Sequence, residues 1–240
     1  MATLSVENLV KAYRGKKVVN AISLGVQSGE VIGLLGPNGA GKTTTFYMTV
    51  GMIKPDSGNV FLDQNDISRM PMYQRARNGV GYLPQEASIF RKLTVRQNVM
   101  AILETLSIST AKQEERASTL LSELGIEKLS DQKASVLSGG ERRRLEITRC
   151  LVTDPSFILL DEPFAGIDPL AVIDIKKIIV HLKKRGIGIL ISDHNVRETL
   201  EVCDKAYILN DGIVIESGIP EHIASSEVAR RIYLGDEFKL

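Results

Sequence analysis

The residue pattern with the clearest chemistry is a glycine-rich stretch that can surround a phosphate chain. Residues 36–44 read GPNGAGKTT and fit G-x-x-x-x-G-K-[ST], with Lys42 spaced to reach the β and γ phosphates and the Thr43 hydroxyl to bind Mg²⁺. An apolar run at 31–35 predicts a buried strand before this loop, and a helix beginning at Lys42 would aim its positive dipole end at the same anion. A structural glycine-rich turn is the alternative. The loop favours binding of a nucleoside triphosphate by Gly36, Pro37, Asn38, Gly39, Ala40, Gly41, Lys42, Thr43 and Thr44.

A second possible anion-binding end lies in the run LSGGE, residues 137–141, which we call the signature segment. Ser138 supplies a hydroxyl, and Gly139 and Gly140 supply unobstructed amides at the start of a predicted helix. Ser138 followed by Glu141 also fits an ordinary capping box. The two interpretations are compatible, so Ser138, Gly139 and Gly140 are predicted nucleotide ligands.

Two acidic residues follow the apolar run at 157–160, which predicts a buried strand that ends at Asp161 and Glu162. Successive strand residues point to opposite faces, so the two carboxylates can take different roles. Asp161 is predicted to join the Mg²⁺ ligands, and Glu162 to act as the general base that activates the attacking water. An exposed pair of acids without a catalytic role is the alternative.

The elements that must position these motifs follow from the hydrophobic pattern, which predicts an α/β protein. Strand-like runs dominate up to residue 85, and strands alternate with helices again after residue 155. The region between them is mainly helical and carries the signature segment. We therefore predict a single domain over residues 1–240, in which a nucleotide-binding core (1–85 and 155–240) is interrupted by a helical subdomain (86–154).

Composition narrows the classes of partner and compartment. Lys and Arg number 30 against 29 Asp and Glu, a formal net charge of +1, so no basic surface for nucleic acid is predicted. The arginines at 142–144 are expected on a solvated helix face. Cys150 and Cys203 are isolated, which indicates a reducing compartment. The sequence predicts no secretory leader, and no run approaches the ~18 apolar residues of a membrane span. Work at a membrane would therefore require a partner.

The order of the motifs along residues 13–194 resembles that of ABC-transporter ATPases: Tyr13, GPNGAGKTT, Gln85, LSGGE, ILLDEP, the run at 165–168 and His194. The resemblance implies a P-loop core of mixed sheet flanked by helices, with an inserted α-helical subdomain and an N-terminal β-subdomain. It further implies that Tyr13 stacks on adenine, that Gln85 senses Mg²⁺ and the attacking water, and that His194 contacts the γ-phosphate. Asp168 would belong to a loop that communicates across a dimer. Glu141 stands where this family commonly has Gln.

The same resemblance implies how the chain would assemble. Two subunits would pack head to tail around two ATP molecules, each touching Lys42 of one chain and Ser138 of the other, with Mg²⁺ as the second cofactor. Two transmembrane permease subunits would be contacted near Phe90 and Arg91, although an isolated Phe is equally compatible with the core. The longer strings YLPQEASIFRKLTV and IYLGDEFKL are similar to those of ATPase subunits that serve lipopolysaccharide export. That implies a cytoplasmic protein, peripheral on the inner face of the bacterial inner membrane. A branched-chain amino-acid importer and a soluble ABC ATPase are the alternatives.

Overall fold

The computed structural model describes residues 1–238 and 240, which form two β-sheets with helices around them. The strands are β1 Thr3–Tyr13, β2 Lys16–Gln27, β3 Val31–Leu35, β4 Ser57–Leu62, β5 Asn65–Asp66, β6 Val80–Leu83, β7 Phe157–Asp161, β8 Gly188–Ser192, β9 Lys205–Asn210 and β10 Ile213–Gly218. The helices are α1 Lys42–Val50, α2 Met72–Arg77, α3 Val95–Leu103, α4 Thr110–Glu123, α5 Gly139–Leu151, α6 Pro169–Lys184, α7 Val196–Leu200, α8 Pro220–Ser225 and α9 Glu227–Ala229. Short 3₁₀ turns lie at Glu127–Leu129 and Ala134–Val136, and a π-helical turn at Arg230–Leu234.

The larger sheet has six strands in the order β10-β9-β3-β8-β7-β6. The pairs from β9 to β6 are parallel, and β10 joins β9 antiparallel, so the sheet is mixed. Every residue of β3, β7 and β8 is buried, which explains their continuous apolar sequences because helices cover both faces of a parallel sheet. The carboxyl ends of β3, β6, β7 and β8 meet at one edge, where loops can bring polar groups together.

The smaller sheet is antiparallel, with four strands in the order β2-β1-β4-β5. Its inward residues, among them Leu9, Val19 and Ile22, share a buried cluster with residues of β3 and with Phe46 of α1. The two sheets therefore enclose α1, the helix that follows the predicted phosphate-binding loop. The predicted α/β fold with a mixed sheet flanked by helices is confirmed.

Helices α3, α4 and α5 follow β6 and precede β7, in the region predicted to be helical. Val99 of α3, Leu121 of α4 and Leu145 of α5 are fully buried in one cluster, which continues into the larger sheet. Helix α5 is thus packed against the other helices and against β6, the strand that precedes Gln85. The subdomain boundaries at residues 85 and 155 stay a prediction.

Candidate functional site

The glycine-rich loop at 36–44, the phosphate loop, connects β3 to α1. Gly36 has a φ of 141°, and a Cβ there would lie 2.1 Å from the Leu209 carbonyl oxygen, so only glycine fits. The Lys42 ammonium donates to the carbonyls of Gly36 at 2.6 Å and Pro37 at 3.0 Å, which curls the loop around it. Gly41, the N-cap of α1, leaves the helix start without a side-chain cap. The free amides at this helix start suit an anion.

A cavity of about 210 Å³ opens at this loop. Burial lowers the pKa of Lys42, although the nearby carboxylates of Glu162, Asp161 and Asp193 act in the opposite direction. The site therefore presents a partly desolvated cation close to a group of acids. Its lining residues are Val18, Asn38, Gly39, Ala40, Gly41, Lys42, Thr43, Thr44 and Glu162.

Glu162, Gln85 and His194 come together at the edge of the larger sheet. The Gln85 amide nitrogen donates to Glu162 Oε2 at 2.8 Å, and His194 Nδ1 lies 3.4 Å from the same oxygen. Gln85 follows β6, Glu162 follows β7, and His194 lies just after β8, so adjacent parallel strands deliver all three. A carboxylate, an amide and an imidazole at these distances can orient a water molecule and accept its proton.

The two consecutive acids differ in burial and backbone conformation. Asp161 ends β7 and is only 3% exposed, and burial together with the neighbouring carboxylate of Glu162 raises its pKa to about 6. The Tyr82 hydroxyl, which donates to Asp161 at 3.4 Å, opposes that shift. Glu162 lies outside the strand with a left-handed φ of 47°, and its N–H donates to the Ser192 carbonyl at 2.6 Å. Because Glu162 lies outside the strand, strand alternation does not decide where its carboxylate points, and the different roles of the two acids stay a prediction.

The signature segment ends in the predicted capping box. Ser138 is the N-cap of α5: its Oγ accepts the N–H of Glu141 at 3.3 Å, and its own N–H donates to Glu141 Oε2 at 2.8 Å. That second bond holds the pKa of Glu141 below its usual range. Gly140 must be small, since a Cβ there would lie 2.6 Å from the Ala171 Cβ of α6. The carboxylate of Glu141 is thus stabilised by a backbone N–H at the start of α5. The Ser138 side chain stays exposed.

The signature segment and the phosphate loop line different cavities of the same chain. Ser138, Gly140 and Glu141 border a cavity of about 170 Å³ together with Asp168 and residues of α6. None of the residues that line this cavity also lines the one at the phosphate loop. The two predicted anion-binding ends are therefore not combined into one pocket within a single chain.

The remaining predicted residues lie at the surface. Tyr13 ends β1, is 45% exposed and has the Lys11 ammonium 5.7 Å from its ring centroid; it does not line the phosphate-loop cavity. Phe90 is 46% exposed and stacks against the Arg149 guanidinium, 4.7 Å from the ring centroid, which rejects the core alternative. Arg91 is exposed beside it. Tyr13 and Phe90 therefore both present an aromatic face to solvent.

Two polar groups near the acids were not predicted to belong to the site. Asp193 is fully buried, and its carboxylate accepts the N–H groups of Phe164 at 3.0 Å and Asn195 at 2.8 Å, so it fixes the loops after β7 and β8. Arg143 is 6% exposed and pairs with Glu146 at 3.1 Å, so the solvated face predicted for residues 142–144 is wrong at its middle arginine. A polar residue directly after an apolar strand was the available signal for Asp193.

The chain is similar to known proteins over its full length. A family model described as ABC transporter matches residues 19–165. The chain is 57% identical over 241 residues to the lipopolysaccharide export system ATP-binding protein LptB of Escherichia coli (strain K12), with 100% of both chains covered. It is 55% identical to an uncharacterized ABC transporter ATP-binding protein, R00382, of Rhizobium meliloti (strain 1021), covering 99% of this chain and 88% of that one.

Solved structures agree in fold over nearly the whole length of the chain. The ADP conformation of MJ1267, an ATP-binding cassette of an ABC transporter, has a TM-score of 0.88 at 29% identity and covers 98% of this chain and 100% of its own. The cbiO1 protein from Clostridium perfringens, part of the ABC transporter complex cbiONQ, has a TM-score of 0.86 at 33% identity, covering 97% and 95%. Across residues 1–238 and 240, the helices are too short or too polar to cross a bilayer.

Proposed function

Since this chain belongs to the ABC transporter family of ATP-hydrolysing subunits, we propose that it powers lipopolysaccharide export from the bacterial inner membrane toward the outer membrane. The observation that carries the proposal is the 57% identity to LptB, the lipopolysaccharide export system ATP-binding protein of Escherichia coli, over 100% of both chains. The similarity extends through the signature segment and the last residues of the chain, rather than being limited to the phosphate loop.

ATP is held by the phosphate loop. It is hydrolysed at the edge of the larger sheet where Glu162, Gln85 and His194 come together. The triphosphate replaces the loop carbonyls as the partner of the Lys42 ammonium, and the free amides at the start of α1 donate to its oxygens. Glu162 accepts a proton from the attacking water, Gln85 orients that water, and His194 contacts the γ-phosphate. Tyr13 stacks its exposed ring on the adenine.

The donor set near Lys42 fits Mg²⁺. Thr43 offers a hydroxyl, Asp161 a carboxylate and Gln85 an amide oxygen, all hard oxygen donors of the type that Mg²⁺ prefers. No group of three or more His, Cys, Asp or Glu able to hold a metal occurs in residues 1–238 and 240. Mg²⁺ is commonly bound through one or two carboxylates together with substrate phosphates. When bound, the metal neutralises charge on the transferred phosphoryl group.

Two copies of the chain form a head-to-tail dimer with ATP between them. Ser138 is exposed at a helix start and lines a different cavity from Lys42 in the same chain, which supports an arrangement in which a second copy completes each site. In that arrangement Ser138, Gly139 and Gly140 donate to the nucleotide held by Lys42 of the other copy. ATP then joins the two copies, and hydrolysis releases them.

The membrane-spanning part of the transporter is supplied by two permease subunits. Phe90 and Arg91 give the chain an exposed aromatic ring and cation directly after the loop that carries Gln85. A permease helix that binds there is linked to the catalytic edge through that loop. The chain is thus cytoplasmic and peripheral on the inner face of the inner membrane, which it reaches only through these partners.

The decisive experiment is a pull-down of the tagged chain from detergent-solubilised membranes of its native host, followed by mass spectrometry. We expect two permeases of the lipopolysaccharide exporter, and their loss with Phe90→Ala but not with Tyr73→Ala, which removes another exposed aromatic ring. Depletion of the chain in that host should leave lipopolysaccharide in the inner membrane. Amino-acid permeases would refute the substrate, and ribosomes or DNA would refute the transporter role.

A further inference from the structure

A buried arginine contacts the backbone directly before both Gln85 and Glu162. The Arg143 guanidinium donates from Nη1 to the Pro84 carbonyl at 3.0 Å and from Nη2 to the Asp161 carbonyl at 3.0 Å. Each carbonyl belongs to the residue that precedes one of the two side chains that meet at 2.8 Å. One planar group therefore connects the ends of β6 and β7, directly before Gln85 and Glu162.

Glu146 holds this guanidinium from the other side. Its Oε2 accepts from Arg143 Nη1 at 3.1 Å, and its Oε1 accepts the N–H of Ser88, in the loop after Gln85, at 2.9 Å. The two side chains are 7% and 3% exposed. A buried ion pair is often no more stabilising than a well-packed apolar pair, because desolvation offsets the attraction. The Arg143–Glu146 pair therefore suits a role in fixing geometry rather than in adding stability.

The contacts continue along the same face of α5. Arg143, Glu146 and Arg149 are spaced by three residues, which places them in one row on the helix. Arg149 donates to the Ser88 carbonyl at 2.5 Å and stacks on Phe90. The segment from residue 84 to 90 is thus held by three charged side chains of the helix that begins at the signature segment.

We propose that Arg143 is a positioning residue for ATP hydrolysis, because its guanidinium fixes the backbone before Gln85 and before Glu162 and so sets the distance between them. The inference rests on the roles proposed above for these two residues. Lysine cannot replace Arg143, since a single ammonium lacks the rigid fork that spans two carbonyls and a carboxylate. A misplacement of about 1 Å in a catalytic group can cost on the order of a hundredfold in rate.

The test is Arg143→Lys, with Arg116→Lys as the matched control. Arg116 also donates to a backbone carbonyl, that of Leu151 at 3.4 Å, and pairs with Asp154 at 3.8 Å. It lies on α4 and takes no part in the contacts of α5 with residues 84–90. We expect Arg143→Lys to lower kcat by roughly tenfold to a hundredfold, while the Kd for a fluorescent ATP analogue changes by less than about threefold. Arg116→Lys should retain wild-type values of both.

A double-mutant cycle separates positioning from a general structural role. In the Glu162→Gln background, adding Arg143→Lys should lower the single-turnover rate by a clearly smaller factor than it does in the wild type, because the base, one of the two groups that Arg143 positions, is already lost. A full second loss, a parallel loss of ATP affinity, or an Arg143→Lys protein unfolded at assay temperature by circular dichroism would each overturn the proposal. So would unchanged kcat in Arg143→Lys. The catalytic assignment itself fails separately, if Glu162→Gln alone leaves turnover intact.

Discussion

Replacing Glu162 by glutamine isolates the chemistry of its carboxylate from its position. The side chain has nearly the same shape, and the amide oxygen can still accept the Gln85 N–H that now lies 2.8 Å from Oε2. The left-handed backbone at residue 162 and its N–H bond to Ser192 are independent of the side chain. The substitution therefore removes one proton acceptor and one negative charge from an otherwise unchanged site.

The expected loss follows from the role of a general base. Removal of such a group typically costs 10²- to 10⁴-fold in rate, which corresponds to roughly 3 to 5 kcal/mol of transition-state stabilisation. ATP affinity should rise rather than fall. The carboxylates of Glu162, Asp161 and Asp193 all repel the triphosphate, and the substitution removes one of these three charges. Glu162→Gln should thus bind ATP at least as tightly as the wild type and hydrolyse it far more slowly.

The assay combines phosphate release with gel filtration in MgATP. We expect kcat to fall by at least about a hundredfold and the variant to elute as a dimer, since ATP stays bound between the two copies. Glu127→Gln, an exposed carboxylate outside the site, serves as the control and should retain wild-type turnover. Undiminished hydrolysis in Glu162→Gln would refute Glu162 as the base, and slow hydrolysis without a dimer would refute the proposed ATP-bridged assembly.

Three further substitutions test the loop, the helix packing and the cap. Lys42→Ala removes the ammonium at the phosphate loop, so calorimetry should show at least about a hundredfold weaker ATP binding, whereas unchanged affinity would refute the loop as the ATP site. Gly140→Ala should destabilise the fold by about 1 to 3 kcal/mol, because its Cβ would lie 2.6 Å from that of Ala171. Gly139→Ala should melt like the wild type, since its Cβ would be 3.5 Å from the nearest atom, on Ile167, and Ala171→Gly should rescue Gly140→Ala. Folding lowers the pKa of Glu141, so its charge stabilises the protein at pH values above the unfolded pKa. In urea titrations, the wild type should have a larger free energy of unfolding than Glu141→Gln, and this difference should vanish as the pH falls through the lowered folded pKa. A difference in unfolding free energy that stays constant down to pH 3 would contradict this prediction.

The phosphate loop could be predicted because its chemistry is local. Its residues are contiguous, and the positive φ of Gly36, Gly39 and Gly41 is what the glycine spacing indicates. The acidic edge was predictable in part, since the fully apolar sequence of β7 indicates a buried strand with acids at its end. The turn at Glu162 was not, because its backbone is fixed by an N–H bond to Ser192, whose strand lies far along the chain.

The approach of His194 to Glu162 depends on strand order, which the sequence does not reveal. The imidazole lies 3.4 Å from Oε2 because β8 is the neighbour of β7 in the sheet. Only the resemblance to ABC ATPases related these residues beforehand. The structure also supplies Asp193, which ties together the loops after the same two strands.

Arg143 shows why a charge run can mislead. Helix α5 buries Leu145 and Ile147, so its inward face also takes in Arg143, while the arginines on either side of it stay half-buried. The ionic partner, Glu146, is three residues away and was visible in the sequence, but an i,i+3 pair is usually a surface feature. Its burial depends on the loop after β6, whose carbonyl and N–H groups require partners away from water.

Helix α5 offers a physical route between the two nucleotide sites of the proposed dimer. Its first turn, capped by Ser138, would face the ATP held by the other copy, whereas Arg143 contacts the backbone beside Gln85 and Glu162 of its own chain. Five residues of helix separate the two positions, a rise of only about 7.5 Å, over which a helix moves as a rigid unit. A shift of the signature segment on dimer closure would therefore be transmitted directly to the catalytic edge of the same subunit. Because Arg149 of this helix also stacks on Phe90, a permease bound there would act on the same rigid element.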